Sequence, residues 1–153
     1  MLVSALMSAA GVNEGETISG MLLRPGRVLV VDDDALVARA IALVLGDEHE
    51  VVVTTEPLDA LDRIARGERY DVILCDLMMP GTTGMELHRR VAACDPGAAA
   101  RIVFVTGCSV LPEAQAFLAS VPNTCLEKPF DLKALRDFIG RRVRAEQPAV
   151  RAG

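Results

Sequence analysis

The chain has 153 residues, is 51% hydrophobic and 24% charged, and carries a net charge of -5, which suits one domain with a proper core. Sixteen basic residues against twenty-one acidic ones leave no broad basic surface for nucleic acid or anionic lipid, and 3% aromatics without Trp argue against base-stacking platforms. Direct nucleic-acid binding and membrane attachment are therefore not expected, and with no apolar stretch approaching the roughly 20 residues of a bilayer span a cytoplasmic location is expected. The four cysteines, at 75, 94, 108 and 125, form no CxxC pair and have no His at zinc spacing; Cys75 and Cys125 sit in apolar runs and read as buried reduced thiols.

Residues 1 to 26 read as a leader: Met1 to Val12 is small and apolar, Asn13 to Gly20 is polar, and Pro25-Gly26 punctuates the join. The first basic residue is Arg24, too late for a secretory signal, and Met21 is an alternative start. From Arg27 to Val31 the pattern is an apolar strand, followed by Asp32-Asp33-Asp34 and a helix from Ala35 to Leu45 that Gly46 closes. Glu50 to Thr54 is a β-branched strand. Pro57 opens a helix to about Arg66 with Leu58, Leu61, Ile64 and Ala65 as its inward face.

Val72 to Cys75 is a third strand, apolar enough to be buried on both faces; it delivers Asp76 at its carboxyl end, and Pro80, Gly81 and Gly84 then force a turn. Met85 to Ala93 is read as a helix with Leu87 and Val91 inward and His88, Arg89 and Arg90 outward, and Asp95-Pro96-Gly97 as its stop. Arg101 to Thr106 is a fourth strand, Pro112 to Ser120 a short helix, and Thr124 to Glu127 a fifth strand ending in Lys128-Pro129. Asp131 caps a last helix whose stripe is Leu132, Leu135, Phe138, Ile139 and Val143. Five alternations of strand and helix imply an α/β fold, a parallel sheet wrapped on both faces. Periodicity alone leaves the strand order open.

In such a sheet the carboxyl ends of the strands line the ligand crevice. Asp32, Asp33, Asp76, Thr106 and Lys128 all sit there. Clustered carboxylates raise one another's pKa, so a cation is needed to keep them ionised, and hard oxygen donors in this number suit Mg2+. A carboxylate nucleophile, a metal, a fixed cation and a hydroxyl donor together suit a phosphoryl group. Each residue also has a plain structural reading: Asp32 as a cap, Thr106 as a strand former, Lys128 as a solvated charge. His49 and His88 are read as solvated, since neither lies near a strand end.

Four runs, Val28-Leu29-Val30-Val31-Asp32-Asp33-Asp34, Val72-Ile73-Leu74-Cys75-Asp76-Leu77-Met78-Met79-Pro80 with Gly84, Val103-Phe104-Val105-Thr106-Gly107, and Leu126-Glu127-Lys128-Pro129-Phe130, resemble in order the receiver domain of two-component response regulators. The resemblance spans about Arg27 to Arg142 and implies a flavodoxin-like (βα)5 fold with strand order 2-1-3-4-5, the order with which the doubly wound rule is commonly illustrated for receivers. It implies Asp76 as phosphoacceptor, Asp33 as a direct Mg2+ ligand, Asp32 acting through metal-bound water, and the Met78 carbonyl completing the ligands. It implies Thr106 as the hydroxyl that moves to the phosphoryl oxygen, Lys128 as the lysine pairing first with Asp76 and then with phosphate, and a cis Lys128-Pro129 bond. The phosphodonor would be a sensor histidine kinase or its phosphotransfer domain.

Two positions depart from the family pattern: Cys125 stands at the usual aromatic switch position, and Cys108 where polar residues tune phosphate loss. Only eleven residues follow Arg142 (153 minus 142), so the expected organisation is a leader to residue 26, a receiver over 27 to 145 and a short tail, with output by protein contact. The Leu126 to Phe130 run also resembles the receivers of hybrid sensor kinases, and a homodimer stays open. Two rivals are a haloacid-dehalogenase-like phosphatase built on Asp32 and Asp34, for which Leu36 is the wrong residue, and a degenerate receiver that only binds. None of the acids, Thr106 or Lys128 that a degenerate receiver usually loses is missing.

Overall fold

The computed structural model describes residues 25–107 and 111–147. Strands β1 (Arg27–Val31), β2 (Glu50–Thr54), β3 (Val72–Asp76), β4 (Ile102–Thr106) and β5 (Cys125–Glu127) form one sheet in the order β2-β1-β3-β4-β5. All four pairings are parallel. The expected flavodoxin-like order is therefore observed. Between the strands run α1 (Ala35–Leu45), α2 (Pro57–Ala65), α3 (Gly84–Cys94), α4 (Pro96–Ala100) and α5 (Pro112–Ser120), and α6 (Leu132–Glu146) follows β5.

The alternation of side chains along a strand decides which helices lie on which face. Val28, Val30, Val72, Leu74, Val103 and Val105 point one way and pack with Ala38, Ile41 and Leu45 of α1 and Leu135, Ile139 and Val143 of α6. Leu29, Val31, Ile73, Cys75, Ile102 and Phe104 point the other way and pack with α2, α3, α4 and α5 through Ala60, Ile64, Leu87, Val91, Ala98 and Phe117. Because β3 is central and fully buried, trimming Leu74 to Ala leaves a cavity worth about 2–5 kcal/mol.

The boundaries read from sequence hold closely, with informative exceptions. Asp95 does close α3, its N–H reaching the Val91 carbonyl at 2.7 Å. Its Oδ1 also accepts from the Ala98 N–H at 3.0 Å, so the presumed stop is the N-cap of an extra turn, α4, begun by Pro96 at its first position. In α2 the inward face is Pro57, Ala60 and Ile64. Leu58, expected inside, is 53% exposed, and Ala65 is exposed as well, because the proline itself supplies apolar surface and turns the buried stripe back by one residue. In α6 Leu132 is exposed while Gly140 joins the buried stripe.

The leader assignment lies outside the described residues except at its end, where Gly26 already belongs to the domain. Its carbonyl accepts from the Glu50 N–H at 2.8 Å and its N–H reaches His49 Nδ1 at 3.0 Å. A Cβ placed there would stand 2.5 Å from both methyls of Val143.

Candidate functional site

Five polar residues meet at the carboxyl edge of the sheet, each delivered by the end of a strand. The Asp32 N–H extends the ladder to the Thr54 carbonyl at 3.2 Å, and its Oδ1 accepts from the Asp34 N–H at 2.9 Å. Asp34 in turn caps α1, its Oδ1 accepting from the Leu36 and Val37 N–H groups at 3.0 and 3.3 Å. The three consecutive acids therefore differ in environment: Asp32 is buried, Asp33 is exposed and Asp34 is committed to the helix.

Asp76 ends β3 and is buried. Its Oδ1 accepts from the Met78 N–H at 3.2 Å, and Leu77 carries the ladder one step further by donating to the Val105 carbonyl at 2.8 Å. The chain then turns through Gly81, at φ +79°, a left-handed conformation that suits glycine. Thr83 caps α3 through the Glu86 N–H at 3.2 Å. Gly84 donates to the Leu77 carbonyl at 2.9 Å, and a Cβ on it would lie 2.5 Å from the Asp76 carbonyl. Only a glycine lets α3 start this close under the strand end.

Lys128 follows β5, its N–H bonded to the Thr106 carbonyl at 2.7 Å, and the Lys128-Pro129 bond is cis as expected. Its ammonium is shared between Asp32 Oδ2 at 3.3 Å and Asp76 Oδ2 at 3.4 Å. Thr106 is buried, with its hydroxyl 3.4 Å from the Gly107 carbonyl. Burial pushes the Asp76 carboxyl above the usual carboxylate range; Lys128 opposes that rise and Asp32 adds to it. Burial disfavours the Lys128 cation, but Asp76 and Asp32 outweigh it and the ammonium is held above its ordinary range.

Asp32, Asp33 and Asp76 each offer a ligand oxygen, all within 4.8 Å of one another. This all-oxygen set, with two of three carboxylates buried beside one shared cation, fits a hard divalent ion such as Mg2+. Beside Lys128 opens an apolar groove of about 460 Å3 lined by Val37, Gly107, Lys128, Pro129 and Phe130. The sequence reading brought these five strand-end residues together but overlooked the groove.

The solvated reading fails for His49 and holds only in part for His88. The His88 ring is half-buried, 5.4 Å from Phe117, edge to face, and 5.9 Å from Phe104; burial lowers its pKa and a hydrogen bond from the ring to the Asn123 side chain opposes this. It lines a groove of about 630 Å3 between α3 and α5. The His49 side chain is only 7% exposed, since the chain entering β1 lies across it. Cys75 is buried and its thiol is pushed far above the ordinary range by burial and by Asp76, but Cys125 is only half-buried, because β5 is a three-residue edge strand.

A family model described as the response regulator receiver domain matches residues 28–140. Among curated proteins, the DNA-binding response regulator MtrA of Mycobacterium tuberculosis is 34% identical over 126 residues, covering 80% of this chain and 54% of MtrA. The transcriptional regulatory protein GlrR of Escherichia coli is 29% identical over 82% of this chain and 28% of its own length. The chain thus spans about half or less of these relatives. Among solved structures, a CheY-like response regulator receiver domain protein from Methanospirillum hungatei superposes with a TM-score of 0.69 at 23% identity, over 80% of this chain and 96% of the other. A response regulator receiver domain protein from Clostridium thermocellum gives 0.68 at 24% identity, over 79% and 96%; these two likenesses show the fold.

Proposed function

The chain belongs to the response regulator receiver domain family of two-component signalling, and on that premise we propose that it accepts a phosphoryl group from a histidine kinase, or its phosphotransfer domain, onto Asp76. The observation that carries this reading is the buried Asp76 carboxylate at the end of the central strand, 3.4 Å from Lys128 and within 4.8 Å of the other two acids. A carboxylate oxygen of Asp76 attacks phosphorus, the bond from phosphorus to the donor breaks, and the donor leaves with the bonding pair. Hydrolysis reverses the state: water attacks phosphorus, inorganic phosphate departs and the carboxylate is restored.

The remaining residues position and compensate. Lys128, now shared by two acids, moves its charge to the transferred phosphoryl oxygens, and the Thr106 hydroxyl turns from Gly107 to donate to one of them. Asp32, Asp33 and Asp76, with the Met78 carbonyl, would hold Mg2+; when bound, the ion neutralises phosphoryl oxygens and the repulsion among the acids. Leu36, Met78 and Leu111, at 78%, 37% and 55% exposure, each follow the carboxyl end of a strand, β1, β3 and β4, and suit contact with the donor protein.

Output proceeds by protein contact from this domain, in the cytoplasm; DNA binding named for a relative such as MtrA is a property of that longer protein. The domain is assigned to 27–145, extended by Gly26 and by Glu146 at the end of α6, with residues 1–25 and 147–153 as flanks. The phosphatase rival would place the nucleophile on Asp32, but Leu36 stands where that motif wants Thr or Val. Incubation with acetyl phosphate and Mg2+, followed by intact-mass measurement, should add one phosphoryl group that maps to Asp76. Label on Asp32 would overturn the reading in favour of the phosphatase.

A further inference from the structure

At the amino edge of the sheet, opposite the acidic site, the chain enters β1 under two side-chain acceptors. Asp71 Oδ2 receives the Arg27 N–H at 2.8 Å, and His49 Nδ1 receives the Gly26 N–H at 3.0 Å. The two caps differ in kind. A carboxylate accepts at any pH above its own titration, whereas Nδ1 accepts only while it carries no proton. The other ring nitrogen, Nε2, is buried and has no hydrogen-bond partner among the described residues. The imidazole is therefore held in place by the Gly26 bond and by packing.

We propose that His49 is a pH-sensitive latch that fastens the chain at Pro25–Gly26 to the amino edge of the sheet and releases it when the imidazole is protonated. The neutral ring holds Gly26. A proton on Nδ1 sets an N–H against the Gly26 N–H and abolishes the bond. The cation has a second partner at hand, because Glu48 Oε2 lies 3.9 Å from Nε2. The latch thus has two arrangements, His49 to Gly26 or His49 to Glu48. The Gly26 carbonyl keeps its bond to the Glu50 N–H in both, so release is local.

The groups around the ring set the direction. Glu48 in the loop before β2 and Asp71 before β3 favour the cation, Arg144 from α6 disfavours it, and burial, the largest influence, holds the pKa below the ordinary 6.5. Arg27 and Glu50, paired at 3.5 Å, flank the contact and compensate each other. The folded value being lower than the unfolded one, the latch contributes its full stability above about pH 6.5 and loses it as pH falls through the lowered value. The device governs how tightly whatever precedes Gly26 is fastened to the domain, and it does not depend on the phosphoacceptor chemistry.

The test follows the His49 ring resonances and the protection of the Gly26 amide in the full chain by NMR. Protection at Gly26 should fall about tenfold or more between about pH 7.5 and about pH 5, with the midpoint of the His49 titration. In His49→Gln, whose side-chain oxygen accepts at every pH, protection should stay constant over the same range. A ring that titrates while Gly26 protection is unchanged, or an equal fall in His49→Gln, overturns the proposal. Should His49→Gln fail to fold, the wild-type midpoints decide: coincidence supports the latch and separate midpoints overturn it.

Discussion

The two ends of the sheet treat polar groups in opposite ways. At the carboxyl end, two buried carboxylates share one ammonium at 3.3 and 3.4 Å, long for charge-assisted bonds, with a third acid nearby. At the amino end, Arg27 is capped by Asp71, the Arg101 side chain donates to the Tyr70 carbonyl at 2.8 Å, and Asn123 reaches the Ala99 and Ile102 carbonyls, both at 2.8 Å. One end leaves negative charge in excess, which stabilises nothing by itself and waits for a positive ligand. The other end closes backbone groups that would otherwise be orphaned, which is what stability requires. Function and stability are thus separated along the strand axis, and substitutions at the two ends should separate them too.

The largest effect should come from Asp76→Asn, which leaves the shape intact and removes the nucleophile: labelling by acetyl phosphate should vanish. The melting temperature should not fall, because the amide relieves repulsion with Asp32, which keeps Lys128 as a partner; residual labelling of the same extent would refute the acceptor assignment. Next is Asp33→Ala. Its side chain is exposed, so the fold should persist while labelling is lost, as it should be when wild-type protein is treated with a chelator. Undiminished labelling in either experiment would remove the metal from the scheme.

A pair of glycines sharpens the contrast. Gly84→Ala drives a Cβ against backbone, the Asp76 carbonyl at 2.5 Å and Leu77 Cα at 2.9 Å, whereas Gly26→Ala meets side chains only, the Val143 methyls at 2.5 Å and His49 Nδ1 at 3.0 Å. Urea unfolding should register about 3 kcal/mol for the first and about 1 kcal/mol for the second. Only Gly84→Ala should also slow labelling, since it moves Asp76. Smaller again is Asp71→Ala, which strips the acceptor from the Arg27 N–H and should cost about 1–2 kcal/mol with labelling rates unchanged. Slower labelling in Asp71→Ala would mean that the two ends are coupled through the strands.

The carboxyl end was legible because its signal is positional: β1, β3 and β4 each lead through four apolar residues to a polar one, and strand ends converge in a parallel sheet whatever the details of packing. The amino end was not, because its partners are chosen across the chain. Gly26 with His49 and Arg27 with Asp71 are 23 and 44 residues apart, and nothing local marks either side chain as an acceptor. His88 shows the same limit. Helical spacing turned it outward beside Leu87, and only the contact with Phe117 of α5, 29 residues on, half-buries it. The short helix α4 was hidden for a different reason, since Asp-Pro-Gly serves equally as a stop and as a cap followed by a proline at the first helical position.

The smallest effect expected is the one that locates the border of the amino end. A chain beginning at Met21 retains Pro25 and Gly26 and hence both hydrogen bonds of Gly26, the N–H to His49 and the carbonyl to Glu50. No residue before Pro25 supplies a group to the site or a strand to the sheet in the sequence pattern, so its melting temperature should lie within about 2 °C of the full chain, under about 0.5 kcal/mol. A chain beginning at Arg27 loses both bonds, leaves the Glu50 N–H without its acceptor and uncovers the His49 ring; it should lose about 1–2 kcal/mol. It should also lose its dependence on His49, because an exposed imidazole titrates alike in the folded and unfolded states. A large loss on starting at Met21 would show that residues 1 to 20 pack on the domain, and the border drawn at Gly26 would then move toward the first residue.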